Sequence, residues 1–118
     1  MKMISNCPVE YTLSLMSGKW TAHILMELAC GPVRSGILEK RITSITPKVL
    51  IHRLRKLEES GLVVRTIYPK TPSHVDYSLS EKGKSLFIVI FELKLWGISN
   101  STFENEDCQR CRKCLSIQ

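Results

Sequence analysis

The hydrophobic positions of this chain follow a helical period, change to an extended one after Gly61, and return to a helical one at Ser80. Trp20, Ile24, Leu25 and Leu28 recur three or four apart, which places them on one face of a helix starting near Lys19 and stopping at Cys30-Gly31-Pro32. An earlier helix is signalled at Pro8, a residue suited to the first helical position, with Cys7 as its cap. Leu13, Leu15 and Met16 carry that helix to Ser17-Gly18. Ser35 is positioned to cap a short third helix over Gly36–Arg41 that turns Ile37 and Leu38 inward, and residues 42–45 form a turn.

The fourth helix carries the clearest signals, with Thr46 as N-cap, Pro47 at the first position and Gly61 at the stop. At about 100° per residue, Leu50, Leu54 and Leu57 share one side, while Lys48, Ile51, His52 and Arg55 cluster opposite. Arg53 and Lys56 stand on the flanks. Residues 62–68 are rich in β-branched side chains and read as a strand. Pro69-Lys70-Thr71-Pro72-Ser73 makes a turn, and residues 75–79 alternate as a returning strand. Ser80 then caps a long helix from Glu81 to about Asn100 that is apolar almost all round. Such a helix must be covered almost all round, and 118 residues supply too little material for that. A second subunit is therefore expected, giving a homodimer with Phe87, Ile90, Phe91 and Trp96 at the contact.

These elements predict a mainly α fold with a small β-hairpin wing: a winged helix-turn-helix with extra N- and C-terminal dimerisation helices. They occupy residues 1–100, and residues 101–118 form a cysteine-containing C-terminal tail.

Charge sharpens the picture. The net charge is +6, and the segment Arg34–Lys56 alone carries seven basic residues against the single acid Glu39. The rest of the chain balances to zero, so one contiguous segment holds the whole excess. A concentrated cationic patch suits a polyanion, because each neutralised phosphate releases condensed counterions. The hydrophobic fraction of 43% and charged fraction of 24% belong to a globular chain. No stretch approaches the ~20 apolar residues of a membrane span, and the first residues lack the apolar core of a signal peptide. A cytoplasmic protein without a membrane partner is expected. No phosphate loop, nucleophile elbow or carboxylate pair argues for an enzyme.

Several motifs together resemble the HxlR-type bacterial transcription regulators. They are Cys7-Pro8-Val9-Glu10, Gly18-Lys19-Trp20-Thr21, the run from Leu54 through Val63, and Tyr77-Ser78-Leu79-Ser80-Glu81-Lys82-Gly83, all in the family's order. The resemblance covers roughly residues 7–100. It implies a homodimeric winged-helix repressor or activator whose terminal helices form the dimer contact and whose Lys48–Lys56 segment reads DNA. Ser35-Gly36 stand where the family usually has an aromatic residue, and the tail after Asn100 is unlike most members. The resemblance also implies a sensing role for Cys7, since some members respond to oxidants through a cysteine at the matching position. The helix N-terminus beside Cys7 favours its thiolate, and the alternative is an inert thiol.

Chemistry assigns roles on double-stranded DNA. Lys48, Arg53 and Lys56 suit phosphate contacts, assisted by the Thr46 hydroxyl, and Arg34 belongs to the same basic segment. Arg55 and His52 suit base edges, and Ile51 suits a thymine methyl or else packs beneath the wing. On the hairpin, Lys70, Thr71, Ser73 and His74 form a tip contact or an ordinary polar turn. Cys30, on an apolar stretch, is expected in the core. Cys108, Cys111 and Cys114 have the spacing of thiolates that bind one soft metal such as zinc, yet no fourth ligand is local. Thiol redox chemistry or an unstructured tail are the other readings. Two functions besides DNA-binding regulation therefore stay open: a thiol-redox or metal-sensing protein acting through that cluster, and a protein-interaction module.

Overall fold

The computed structural model describes residues 7–18, 20–42, 44–70 and 72–101. Pro8 opens the first helix, α1 (Pro8–Met16), with Cys7 at its cap, and none of its residues is buried within the chain. Gly18 breaks the path at φ +102°, a left-handed backbone that glycine adopts without steric cost. The second helix, α2 (Thr21–Glu27), begins two residues later than the sequence pattern indicated, because Trp20 serves as its cap. The Thr21 hydroxyl donates to Ser17 O at 2.9 Å and ties the two helices across the break.

A two-residue strand, β1 (Val33–Arg34), leads into α3 (Ser35–Arg41) and then α4 (Pro47–Glu59). The wing strands are β2 (Val63–Tyr68) and β3 (His74–Leu79), and α5 (Glu81–Ser99) closes the described chain. The sheet is antiparallel in the order β1-β3-β2, with Val33 opposite Tyr77 and Val63 opposite Leu79. The hairpin was legible in the sequence, whereas β1 was not. Two residues are too few to show alternation, and Val33 becomes a strand residue only because β3 offers it a free edge. Arg34, rather than Ser35, occupies the N-cap of α3.

The core joins Ile24 and Leu25 of α2 and Leu28 at its C-terminal cap to Leu38, Leu50, Leu54, Leu57, Leu62 and Phe87, all of them 4% exposed or less. Ile37 does not share it, for the short α3 turns only Leu38 fully inward. The long helix differs from expectation in a way that matters. Phe87, Ile90 and Phe91, expected at a dimer contact, are buried in the chain's own core, where the Phe87 and Phe91 rings lie 6.2 Å apart. Of the four named residues only Trp96 is exposed, at 70%, and it is joined on the helix surface by Ile88, Val89, Leu93 and Leu95.

The end of α4 and the start of α5 are fastened together by backbone. Gly61, at φ +78°, ends α4 in the left-handed conformation common after helices. Leu62 N then donates back to Leu57 O, and Leu62 O accepts from Ser80 N, both at 3.0 Å. The Ser80 hydroxyl donates to Gly61 O and accepts from Gly83 N at 3.0 Å, so one side chain caps α5 and holds it to the end of α4.

Candidate nucleic-acid interface

The two faces of α4 arise from its spacing. Thr46 Oγ1 accepts from Val49 N at 3.2 Å, which fixes where the helix starts and therefore which residues point outward. Leu50, Leu54 and Leu57 anchor one side in the core. On the other side Pro47, Lys48, Ile51, His52 and Arg55 line a single shallow surface. Lys48, His52 and Arg55 are exposed, while Ile51 is half-buried against the core and contributes only part of its side chain. The surface presents two fixed cations, an imidazole and an apolar patch on a rigid support. That chemistry can meet phosphate oxygens and base edges from one helix lying in a major groove.

Other members of the basic segment stand elsewhere. Arg53 is half-buried and turns away from that surface toward the α1–α2 break, where it and Lys56 line a separate recess with Ser14, Ser17 and Thr21. Its role as a simple surface clamp is therefore not what its placement offers. Gly18 makes room for it, since a Cβ there would lie 2.8 Å from the Arg53 guanidinium. Arg41 faces Glu27 at 3.8 Å, an ion pair linking α3 to α2 that consumes part of the apparent charge excess. Arg34 is exposed on β1 opposite Asp76 and shares a recess with Arg41, apart from the outer surface of α4.

On the wing, Lys70 and Ser73 are exposed at the turn. His74 is occupied with the wing itself. Its ring stacks on Tyr68 at 4.7 Å and 17°, its Nδ1 lies 3.3 Å from Pro72 O, and its Nε2 lies 3.7 Å from Asp76 Oδ1. A ring held on three sides stiffens the turn more than it offers a contact. Arg65 and Tyr68 are also exposed on β2, on opposite faces of a strand that leaves every residue after Val63 exposed, so the wing carries polar groups beyond those of its turn. Thr71 lies outside the described residues.

Cys7 is an exposed thiol at the start of α1. Cys30 departs from expectation. It is exposed at the end of α2 rather than packed in the core, and it is held in a disulfide. Cys108, Cys111 and Cys114 lie outside the described residues, and among those described no cluster of His, Cys, Asp or Glu suits a metal ion. No described helix is long and apolar enough to cross a membrane.

Three short helices, a two-faced basic helix and a three-stranded sheet carrying a hairpin wing define a winged helix-turn-helix protein. The model of HxlR-like helix-turn-helix proteins matches residues 15–105, and the chain belongs to that family of transcriptional regulators. It is 44% identical over 93 residues to an uncharacterised helix-turn-helix transcriptional regulator, YdzF of Bacillus subtilis, spanning 78% of this chain and 85% of that one. It is 40% identical over 95 residues to a putative regulatory protein, MalR of Fusobacterium mortiferum, spanning 80% and 90%. Among solved structures it is similar to the redox regulator HypR in its reduced form, with a TM-score of 0.76, 37% identity and coverage of 80% of this chain and 93% of that one. It also resembles diamide-treated YodB of B. subtilis, with a TM-score of 0.65, 33% identity and coverage of 86% and 100%.

Proposed function

We propose that the protein works as a homodimer that places α4 of each subunit in the major groove of duplex DNA and reads sequence with Arg55 and His52. Lys48 and the early amides of α4 contact the backbone, and Lys70 and Ser73 of the wing approach it nearby. The observation that carries this reading is the single exposed surface of Lys48, Ile51, His52 and Arg55 on a helix anchored behind by three buried leucines. An exposed arginine so placed can pair bidentately with guanine. The apolar strip Ile88, Val89, Leu93, Leu95 and Trp96 on α5, with Val9 and Leu13 of α1, supports pairing of two copies. Pairing implies a roughly palindromic operator with half-sites one helical turn or a multiple apart. Selection of bound fragments from genomic DNA, followed by titration at increasing salt, tests it. Binding should weaken steeply with salt. Failure to bind any fragment at low salt removes the reading.

The same proposal extends to a signal. Cys7 is an exposed thiol at the start of α1, where an oxidant in solution can reach it. The likeness to solved redox regulators supports a thiol response in this chain as well. DNA release by a hydroperoxide should be lost in Cys7→Ser, and unchanged release in that variant would move the sensing elsewhere.

A further inference from the structure

The recess between the α1–α2 break and α4 is independent of the DNA-facing surface, and its chemistry is unusual for a structural gap. It has a volume of about 220 Å³ and is lined by Arg53, Lys56 and Ser60 at the end of α4 and by Ser14, Ser17 and Thr21 on the opposite wall, with Leu15 and Leu57 as its apolar sides. No carboxylate is among the described residues that line it. The Arg53 Nε is buried and has no hydrogen-bond acceptor. A buried N–H on a permanent cation, left without an acceptor, marks a position where an anion or a water belongs.

The hydroxyls narrow the ligand. Ser14 donates to Tyr11 O, Ser17 to Ser14 O, Thr21 to Ser17 O and Ser60 to Lys56 O, at 2.6, 2.9, 2.9 and 3.0 Å, so each hydroxyl has spent its proton on a backbone carbonyl. Only Arg53 and Lys56 remain as donors, which suits one compact anionic group rather than a polyanion. A recess of about 220 Å³ has room for a small organic acid. The two leucines favour a body that is partly apolar. We propose that this recess is a binding site for a small monocarboxylate, its carboxylate held by Arg53 and Lys56 and its body lodged between Leu15 and Leu57.

Occupancy would neutralise two of the cations in the basic segment and brace α4 against α1. The binding itself does not depend on the DNA reading; its regulatory consequence does. A DNA backbone phosphate is the other source of the same anionic chemistry, and the experiment separates the two.

Calorimetry on the full chain without DNA, at constant ionic strength, should detect saturable heat with benzoate or butyrate and weaker heat with acetate. Arg53→Gln should weaken that binding at least tenfold, whereas Lys40→Gln, on the exposed surface of α3, should leave it unchanged. Because Arg53→Gln removes packing as well as charge, Arg53→Lys serves as a second variant, and its thermal melt checks folding. It should bind the carboxylates more tightly than Arg53→Gln. Absence of saturable heat with all three acids, or equal binding by Arg53→Gln and the parent chain, overturns the proposal. Should the carboxylates fail while Arg53→Gln lowers DNA affinity and its salt dependence, the recess takes a backbone phosphate, and DNA recognition by α4 stands without the effector site.

Discussion

Gly83, in the first turn of α5, lies against the backbone carbonyl of Leu62 at a separation that leaves no room for a Cβ. The contact presses the start of α5 onto the residue that links α4 to the wing. Three parts of the molecule are thus set relative to one another at one point, and the obstructing atom is backbone, which cannot swing aside. Gly83→Ala should therefore destabilise the fold by about 3 kcal/mol or more, beyond the usual cost of overpacking. Gly36→Ala in α3, where nothing lies within 4 Å of the added carbon, should instead stabilise it by about 0.5–1 kcal/mol, since alanine is the better helix former. Chemical denaturation of the two variants beside the parent chain measures both signs.

Arg55 and Lys48 share a surface but should fail differently. Arg55→Ala should cost roughly 1–3 kcal/mol on the preferred operator and relax the preference at one base pair. Lys48→Ala should weaken all sequences alike and reduce the salt slope by about one. Equilibrium binding to matched and scrambled duplexes at several salt concentrations distinguishes them. An Arg55→Ala variant with undiminished sequence preference would show that base reading lies elsewhere on α4.

The two classes of apolar residue on α5 make opposite predictions. Phe87 is 1% exposed, and truncating a buried phenylalanine to alanine costs about 3–5 kcal/mol of fold stability. Trp96 is 70% exposed in the single chain, so Trp96→Ala should leave the subunit folded while shifting dimer toward monomer. Sedimentation velocity, with circular dichroism as the control for folding, reads both effects. Loss of the dimer should also weaken binding to a palindromic site.

Cys30 should behave as a bonded sulfur on an accessible surface. Alkylation of the unreduced protein should spare Cys30, and dithiothreitol should expose it to the reagent. Reduction should also lower the melting temperature, since a disulfide restrains the unfolded chain by typically 2–4 kcal/mol. Peptide mapping would identify its bonded partner. A Cys30 that reacts fully before reduction contradicts this prediction.

The local chemistry of α4 was legible in the sequence because every signal for it is short-range. Thr46, Pro47 and Gly61 set its ends, and the spacing of Leu50, Leu54 and Leu57 set its inner side, so the outward placement of Lys48, His52 and Arg55 followed from helix geometry alone. The hairpin and the Ser80 cap were readable for the same reason. What the sequence could not decide was which neighbour covers which side. On a helix apolar nearly all round, periodicity cannot separate Phe87, Ile90 and Phe91, buried by the chain itself, from Ile88, Leu93 and Trp96, left exposed. That choice is made by where α2 and β3 sit. The same holds for Arg53, which charge alone placed among the phosphate contacts, until the α1–α2 break, opened by the missing Cβ of Gly18, drew it into a recess of its own. Helix ends and faces are properties of consecutive residues; burial and the company a side chain keeps depend on residues far away in the chain, and only packing brings them together.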